Sequence, residues 1–115
     1  MKNQALIDTI KALENASKKS GKAIWKALAE DLNKSKRSRV AINLSRIDRH
    51  TDEGEVVAVP GKVLAAGRLS KPLKIAAYSF SEGALEKIKA AESEYMTLDE
   101  LLASEIEPNQ IRIMK

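Results

Sequence analysis

Apolar residues recur at helical spacing twice in the first third of the chain. The first set predicts a helix over 4–16 that begins after Asn3, with the segment 17–21 ending it and turning the chain. The second set predicts a helix over about 22–33 with Trp25 on its apolar side. The two sets are Leu6, Ile7, Ile10 and Leu13, then Ile24, Trp25, Leu28, Ala29 and Leu32. We therefore expect a helical hairpin, with Trp25 buried between it and the rest of the protein.

Beyond residue 50 the apolar pattern becomes shorter and resembles that of strands. The β-branched run 56–59 predicts a buried strand. We expect that strand to stop at Pro60 and Gly61, because proline lacks a backbone donor and glycine tolerates a positive φ. Helices are predicted at 43–50, at 82–91 after a Ser81 cap and at 98–104 after Thr97, and strands at 73–79, 95–96 and 111–114.

Strands that alternate with helices predict an α/β fold. The expected arrangement is an N-terminal helical hairpin followed by a compact, irregular α/β domain of short strands and helices. A length of 115 residues suits one domain. Within it we distinguish the hairpin (1–33), a basic connecting segment (34–43) and an α/β core (44–115). Since only 3% of the residues are aromatic, aliphatic side chains must build that core.

Positive charge is concentrated in the first half of the chain. Residues 1–50 contain twelve Lys and Arg against five Asp and Glu, whereas residues 51–115 contain eight against eleven. The run 34–39 holds four cations in six residues and no apolar side chain, so it cannot pack in a core. Such asymmetry favours a protein whose basic half faces a polyanion.

Most of these cations are predicted in loops rather than on one recognition helix, which fits phosphate contacts with a folded RNA. His50 is interpreted as a surface or RNA-contacting residue, because it is the one histidine and follows Arg49. The candidate RNA-binding residues are Lys18, Lys19, Lys22, Lys34, Lys36, Arg37, Arg39, Arg46, Arg49, His50, Lys62, Arg68 and Lys71.

Signals for other functions are weak. With no cysteine and a single histidine, thiolate and His-pair metal sites are excluded, and we expect no cofactor, no small-molecule substrate and no catalysis. The order of Gly61 and Lys62 does not match a phosphate-binding loop. No signal-peptide pattern or membrane-length apolar run is present, which favours a cytoplasmic protein. Two alternatives stay open: a double-stranded DNA or chromatin binder that uses the N-terminal helices, and a small enzyme with an atypical site.

Three stretches resemble one known family: NLSRIDRH at 43–50, VPGKVL at 59–64 and AAYSFSEGA at 76–84. They are similar to the archaeal large-subunit ribosomal protein family L18e, which shares its fold with bacterial L15. The resemblance implies a structural ribosomal protein that binds large-subunit ribosomal RNA, adjoins neighbouring ribosomal proteins and catalyses nothing. It adds Asn43 to the candidate RNA-binding residues. Ala66 and Glu92-Ser93 depart from the resemblance, because many relatives have glycine there.

Overall fold

The computed structural model describes residues 3–34 and 40–115. It confirms an α/β fold that begins with two helices, and no described helix is long and apolar enough to cross a membrane. The elements in chain order are α1 (Gln4–Ser20), α2 (Ala23–Leu32), β1 (Val40–Asn43), α3 (Leu44–His50), β2 (Val56–Leu64), β3 (Lys74–Phe80), α4 (Glu82–Ala90), β4 (Glu94–Thr97), α5 (Leu98–Ala103), a 3₁₀ turn (Pro108–Gln110) and β5 (Ile111–Ile113).

The described strands form one parallel sheet with β2 near its centre. On one side β2 pairs with β3, which in turn pairs with β4. On the other side β5 pairs with β2 along Val56–Ala58, and β1 pairs with it along Gly61–Leu64. The sheet therefore has one edge formed jointly by β1 and β5, called here the β1/β5 edge, and an opposite β4 edge.

Helices cover both faces of the sheet because its buried side chains alternate. Val57 and Ile75 belong to a core with residues of α3 and α4. Ala58 and Ala76 point to the other face and pack with residues of α1, α2 and α5. Trp25 lies in this second core and is 6% exposed, so the prediction that it anchors the hairpin is confirmed.

The first helix is longer than predicted. Asn3 caps it as expected, since its side-chain oxygen accepts a hydrogen bond from the Leu6 N–H at 2.8 Å. The helix then continues to Ser20, so Lys18 and Lys19 lie in its last turn and not in the turn of the chain. Cations interact favourably with the carbonyls of a helix C-terminus, which explains why the helix persists there. Gly21, at φ +70°, ends it.

The prediction that a strand stops at Pro60 was wrong. Strand β2 continues to Leu64, and its register with β3 shifts between Val59 and Lys62. At this bulge the pairing of the strands is interrupted, so proline, which has no backbone N–H to donate, is tolerated there. Gly61 has no positive φ and is needed for another reason: a Cβ there would lie 1.9 Å from the carbonyl oxygen of Val40 on β1. Strand β1, which the sequence pattern did not predict, approaches β2 this closely.

Candidate nucleic-acid interface

Helix α3 presents basic side chains beside the β1/β5 edge. Leu44 and Ile47 are buried on its inner side, whereas Arg46, Arg49 and His50 are exposed. Residues three apart on a helix are neighbours, so the two arginines share one face. The sequence therefore predicted this basic helical turn and its exposed residues correctly.

Strand β5 and the segment after it add two cations that the sequence analysis did not select, Arg112 and Lys115. Arg112 Nη1 donates to the carbonyl oxygen of His50 at 2.6 Å and lies 3.5 Å from Glu55 Oε2. Arg46 Nη2 donates to the main-chain oxygen of Lys115 at 3.1 Å. Four basic residues border an open pocket of about 260 Å³: Arg46, His50, Arg112 and Lys115. In the sequence, Arg112 and Lys115 alternate with apolar residues, which indicates that their side chains point outward. Only the pairing of β5 with β2 shows that they meet α3.

A buried aspartate continues this set around the edge to the hairpin. Asp31 at the end of α2 is 4% exposed, and its two carboxylate oxygens contact Lys34 Nζ at 2.9 Å and Lys115 Nζ at 3.0 Å. Burial alone raises the pKa of Asp31, but hydrogen bonds from the two ammonium groups outweigh it and hold this pKa below its ordinary value. The carboxylate therefore stays ionised and fixes both lysines.

We call this continuous set the edge cluster; it comprises Lys34, Arg46, Arg49, His50, Arg112 and Lys115. In the described part of the chain, the acidic groups in contact with it are Asp31 and Glu55. A guanidinium has five N–H donors, and the described hydrogen bond of Arg46 uses one. Donors thus remain for an anion, and the five lysines and arginines outnumber the two carboxylates.

Lys34, the first residue of the basic run 34–39, belongs to the edge cluster, whereas Lys36, Arg37 and Arg39 lie outside the described residues. The chain leaves the described part at Lys34, which contacts Asp31. It re-enters at Val40, which pairs with Gly61 on β2. Lys34 belongs to the edge cluster and Val40 begins a strand of the β1/β5 edge, so the described residues on both sides of 35–39 lie at this edge.

Two other candidates lie close to this edge. Lys62 is exposed on β2 and pairs with Ala41 of β1, one strand in from the edge. Arg68 is exposed in the loop between β2 and β3, near Asp48 of α3. Both are available to a ligand that covers α3 and the end of β1.

Two further candidates have structural contacts. The ammonium of Lys71 donates to the carbonyl oxygens of Asp48 at 2.8 Å and Thr51 at 2.6 Å. The side-chain oxygen of Asn43 accepts from the Ala66 N–H at 3.2 Å. Both side chains therefore hold the loop between β2 and β3 against α3 and β1, which positions Arg68.

Lys18, Lys19 and Lys22 form the hairpin tip, which lies away from the edge cluster. Helix α1 starts beside α5, where Thr9 Oγ1 donates to Asp99 Oδ2 at 2.9 Å, and α2 ends at the edge cluster through Asp31. The tip joins the opposite ends of these helices. Lys22 precedes α2 and Asp31 lies near its end, so at 1.5 Å per residue these two residues are about 14 Å apart along the helix. The structure therefore separates these three lysines from the other candidates.

Comparison with known proteins identifies the family. The family model described as ribosomal protein 60S L18 and 50S L18e matches residues 4–115. The chain belongs to this family. The match includes every described member of the edge cluster, from Lys34 to Lys115, and it confirms the resemblance read from the sequence.

Archaeal members of the L18e family are similar over nearly the full chain. The large ribosomal subunit protein eL18 of Methanothermobacter thermautotrophicus is 41% identical over 113 residues, which cover 98% of this chain and 93% of the relative. The eL18 of Archaeoglobus fulgidus is 39% identical over 112 residues, covering 97% and 96%. The eL18 of Thermoplasma acidophilum is 34% identical over 113 residues, covering 98% and 94%.

Proposed function

We propose that the protein is a structural constituent of the large ribosomal subunit in the cytoplasm, and that it binds ribosomal RNA through the edge cluster and the basic run 34–39. The observation that supports this most is the chain of contacts from Lys34 through Asp31 and Lys115 to Arg46. It holds cations from distant parts of the sequence on one edge. Because the relatives are named as large ribosomal subunit proteins, we take ribosomal RNA as the ligand of this edge.

Binding works by neutralising phosphates without chemical change. An arginine guanidinium can bind two phosphate oxygens through two parallel hydrogen bonds. The pocket bordered by Arg46, His50 and Arg112 has room for one phosphate group. Contacts within the protein already fix Arg46 and Arg112, so less side-chain freedom is lost on binding. An RNA duplex is recognised mainly through its backbone and shape, which suits a rigid basic edge.

The hairpin gives little support to the duplex-DNA alternative. A recognition helix needs an exposed cationic face in the major groove. Helix α2 carries one cation, Lys26, and two acids, Glu30 and Asp31, while its apolar residues are buried in the sheet core. The basic side chains thus lie mostly outside the helix that would have to read DNA.

The proposal is tested by measuring how RNA affinity depends on salt. Each lost phosphate contact lowers the slope of log K against log salt by about 0.7–0.9. We expect a slope lower by roughly two units when three edge arginines are replaced, and also when three run cations are replaced. The edge variant is Arg46→Gln with Arg49→Gln and Arg112→Gln; the run variant is Lys36→Ala with Arg37→Ala and Arg39→Ala.

A matched control removes the same charge from the hairpin tip through Lys18→Gln, Lys19→Gln and Lys22→Gln. We expect its slope to fall by less than about one unit. If the tip variant loses as much as the edge variant, general charge or the hairpin explains binding, and the proposed edge is wrong. Equal affinity for a large-subunit RNA fragment and a DNA duplex of equal length would favour the alternative. Co-sedimentation with large ribosomal subunits after a moderate salt wash tests the assembly.

A further inference from the structure

The β4 edge, opposite the edge cluster, carries the opposite charge. Residues 92–107 contain six acidic side chains and no lysine or arginine. Within residues 3–34 and 40–115, β4 pairs with β3 and with no second strand. Its outer side therefore presents backbone groups with which another strand can pair.

The hydrogen bonds of the sheet show which backbone groups these are. The Glu94 N–H donates to the carbonyl oxygen of Leu73 at 2.9 Å, so Glu94 faces β3. Alternate residues of a parallel strand bond to the same neighbour, and the N–H and C=O of Tyr95 consequently point outward. The next outward N–H, that of Thr97, donates to Glu100 Oε1 at 2.8 Å. The open stretch of the edge is centred on Tyr95.

A shallow groove of about 640 Å³ lies beside this open stretch. Its apolar part comes from Met96 and Ile106, which are partly buried. The carboxylates of Glu94 and Glu100 border it, and the first of these lies 3.6 Å from Lys74 Nζ. An extended chain placed against β4 would thus meet the apolar side chains of Met96 and Ile106 and the carboxylates of Glu94 and Glu100.

The aromatic side chain at the centre of the edge is held in place. Tyr95 is 43% exposed, and its ring packs edge-on against Phe80 with centroids 5.7 Å apart. The ammonium of Lys89 lies 5.8 Å from the same ring. Because these contacts fix the ring, a partner gains apolar contact area there with little loss of side-chain freedom.

We propose that the β4 edge binds an extended, lysine- and arginine-rich segment of another protein, which adds a strand beside Tyr95. Charge decides the occupant, because the six acids of 92–107 outnumber the two lysines next to the edge, Lys74 and Lys89, and repel RNA phosphates, and a second copy paired through the same edge would add its own acids. Strand addition supplies main-chain hydrogen bonds, and the carboxylates select a basic segment. The inference rests on the proposed function in one respect: the partner is taken to be a protein of the same ribosomal subunit.

The test uses the full chain and a fluorescent ten-residue peptide of alternating lysine and valine, with binding followed by anisotropy. A second peptide has the same sequence with every backbone nitrogen methylated, which keeps the charge and removes all strand donors. We expect the methylated peptide to bind at least about tenfold more weakly, since main-chain hydrogen bonds carry the interaction. Equal binding of both peptides would show charge attraction alone and overturn strand addition.

Two triple variants locate the binding edge. The groove variant combines Glu94→Gln, which lines the groove, with Glu105→Gln and Glu107→Gln, two exposed acids on either side of the groove residue Ile106. The control, Glu14→Gln with Glu30→Gln and Glu53→Gln, removes three exposed acids elsewhere. We expect peptide affinity to fall about tenfold in the groove variant and by less than about twofold in the control. Equal losses in both variants would place the site elsewhere.

Measurements of RNA affinity separate this inference from the proposed function. We expect the groove variant to keep its RNA affinity and the edge variant to keep its peptide affinity. A loss of RNA affinity in the groove variant would make RNA the occupant of the β4 edge. Sedimentation of the wild-type protein as a dimer that the groove variant abolishes would make a second copy the occupant. Either result would overturn the proposal, and neither depends on whether the edge cluster binds RNA.

Discussion

Replacing Gly61 by alanine tests how β1 is held against the sheet. A Cβ at this position would lie 1.9 Å from the carbonyl oxygen and 2.7 Å from the carbonyl carbon of Val40. Both contacts are with backbone, so no side-chain rotation can relieve them. Strand β1 must therefore move away from β2 by about 1 Å or more, which weakens the hydrogen bonds along Gly61–Leu64.

The expected loss of stability follows from these contacts. Overpacking in a core typically costs 1–3 kcal/mol, and each weakened backbone hydrogen bond adds about 1 kcal/mol. We expect the free energy of unfolding to fall by about 3 kcal/mol, which lowers Tm by roughly 10–15 °C in a domain of this size. Because β1 forms part of the edge that we propose to bind RNA, RNA affinity should also fall at temperatures where the remaining fold is intact.

The matched control is Gly21→Ala. Gly21 ends α1 at φ +70°, and a Cβ there meets nothing within 4 Å. Alanine at this position suffers conformational strain only, about 1 kcal/mol or 4 °C in Tm. Thermal unfolding followed by circular dichroism compares the two variants. Equal Tm values for both variants would contradict the close approach of β1 to Gly61.

Three further substitutions test other features of the fold. Glu92 has φ +57°, so Glu92→Gly should raise the free energy of unfolding by about 0.5 kcal/mol in a urea titration, whereas a lower midpoint would contradict this conformation. Trp25→Ala removes a ring that is 6% exposed and should cost ~3–5 kcal/mol; a loss below 1 kcal/mol would show that the ring is not a core anchor. The backbone N–H of Ser70 holds the pKa of Asp48 below its ordinary value of 3.8, so this contribution to stability is present above about pH 4 and is lost as the pH falls through the folded pKa. Asp48→Asn should therefore destabilise the protein more at pH 7 than at pH 2, and an equal effect in urea titrations at both pH values would refute this linkage.

Local sequence patterns predicted much of the fold. Helical periodicity located α1, α2 and α4, and the caps at Asn3, Ser81 and Thr97 lie where expected. These features depend on residues within a few positions of one another, which is the range over which a pattern carries information. The prediction that β2 stops at Pro60 failed because the bulge that tolerates proline is defined by pairing with β3.

The interface was only partly predictable for the same reason. Net charge and the basic run indicated a polyanion-binding half, and α3 was recognised with its outward arginines. Arg112 and Lys115 were missed because they join α3 across more than sixty residues of sequence. Lys71 resembles the other loop cations in the sequence, yet its ammonium binds two carbonyl oxygens. Only side-chain contacts distinguish a cation that binds the protein from one that is available to a ligand.

Asp31 shows how this small protein concentrates positive charge on one edge. Two ammonium groups that repel each other lie within 3.0 Å of its carboxylate, so the ion pairs offset the cost of bringing Lys34 and Lys115 together. The carboxylate removes one unit of positive charge from the interface, but it joins the end of α2 to the segment after β5. The loss of one positive charge is offset because the cations are held in place and lose less conformational freedom when RNA binds.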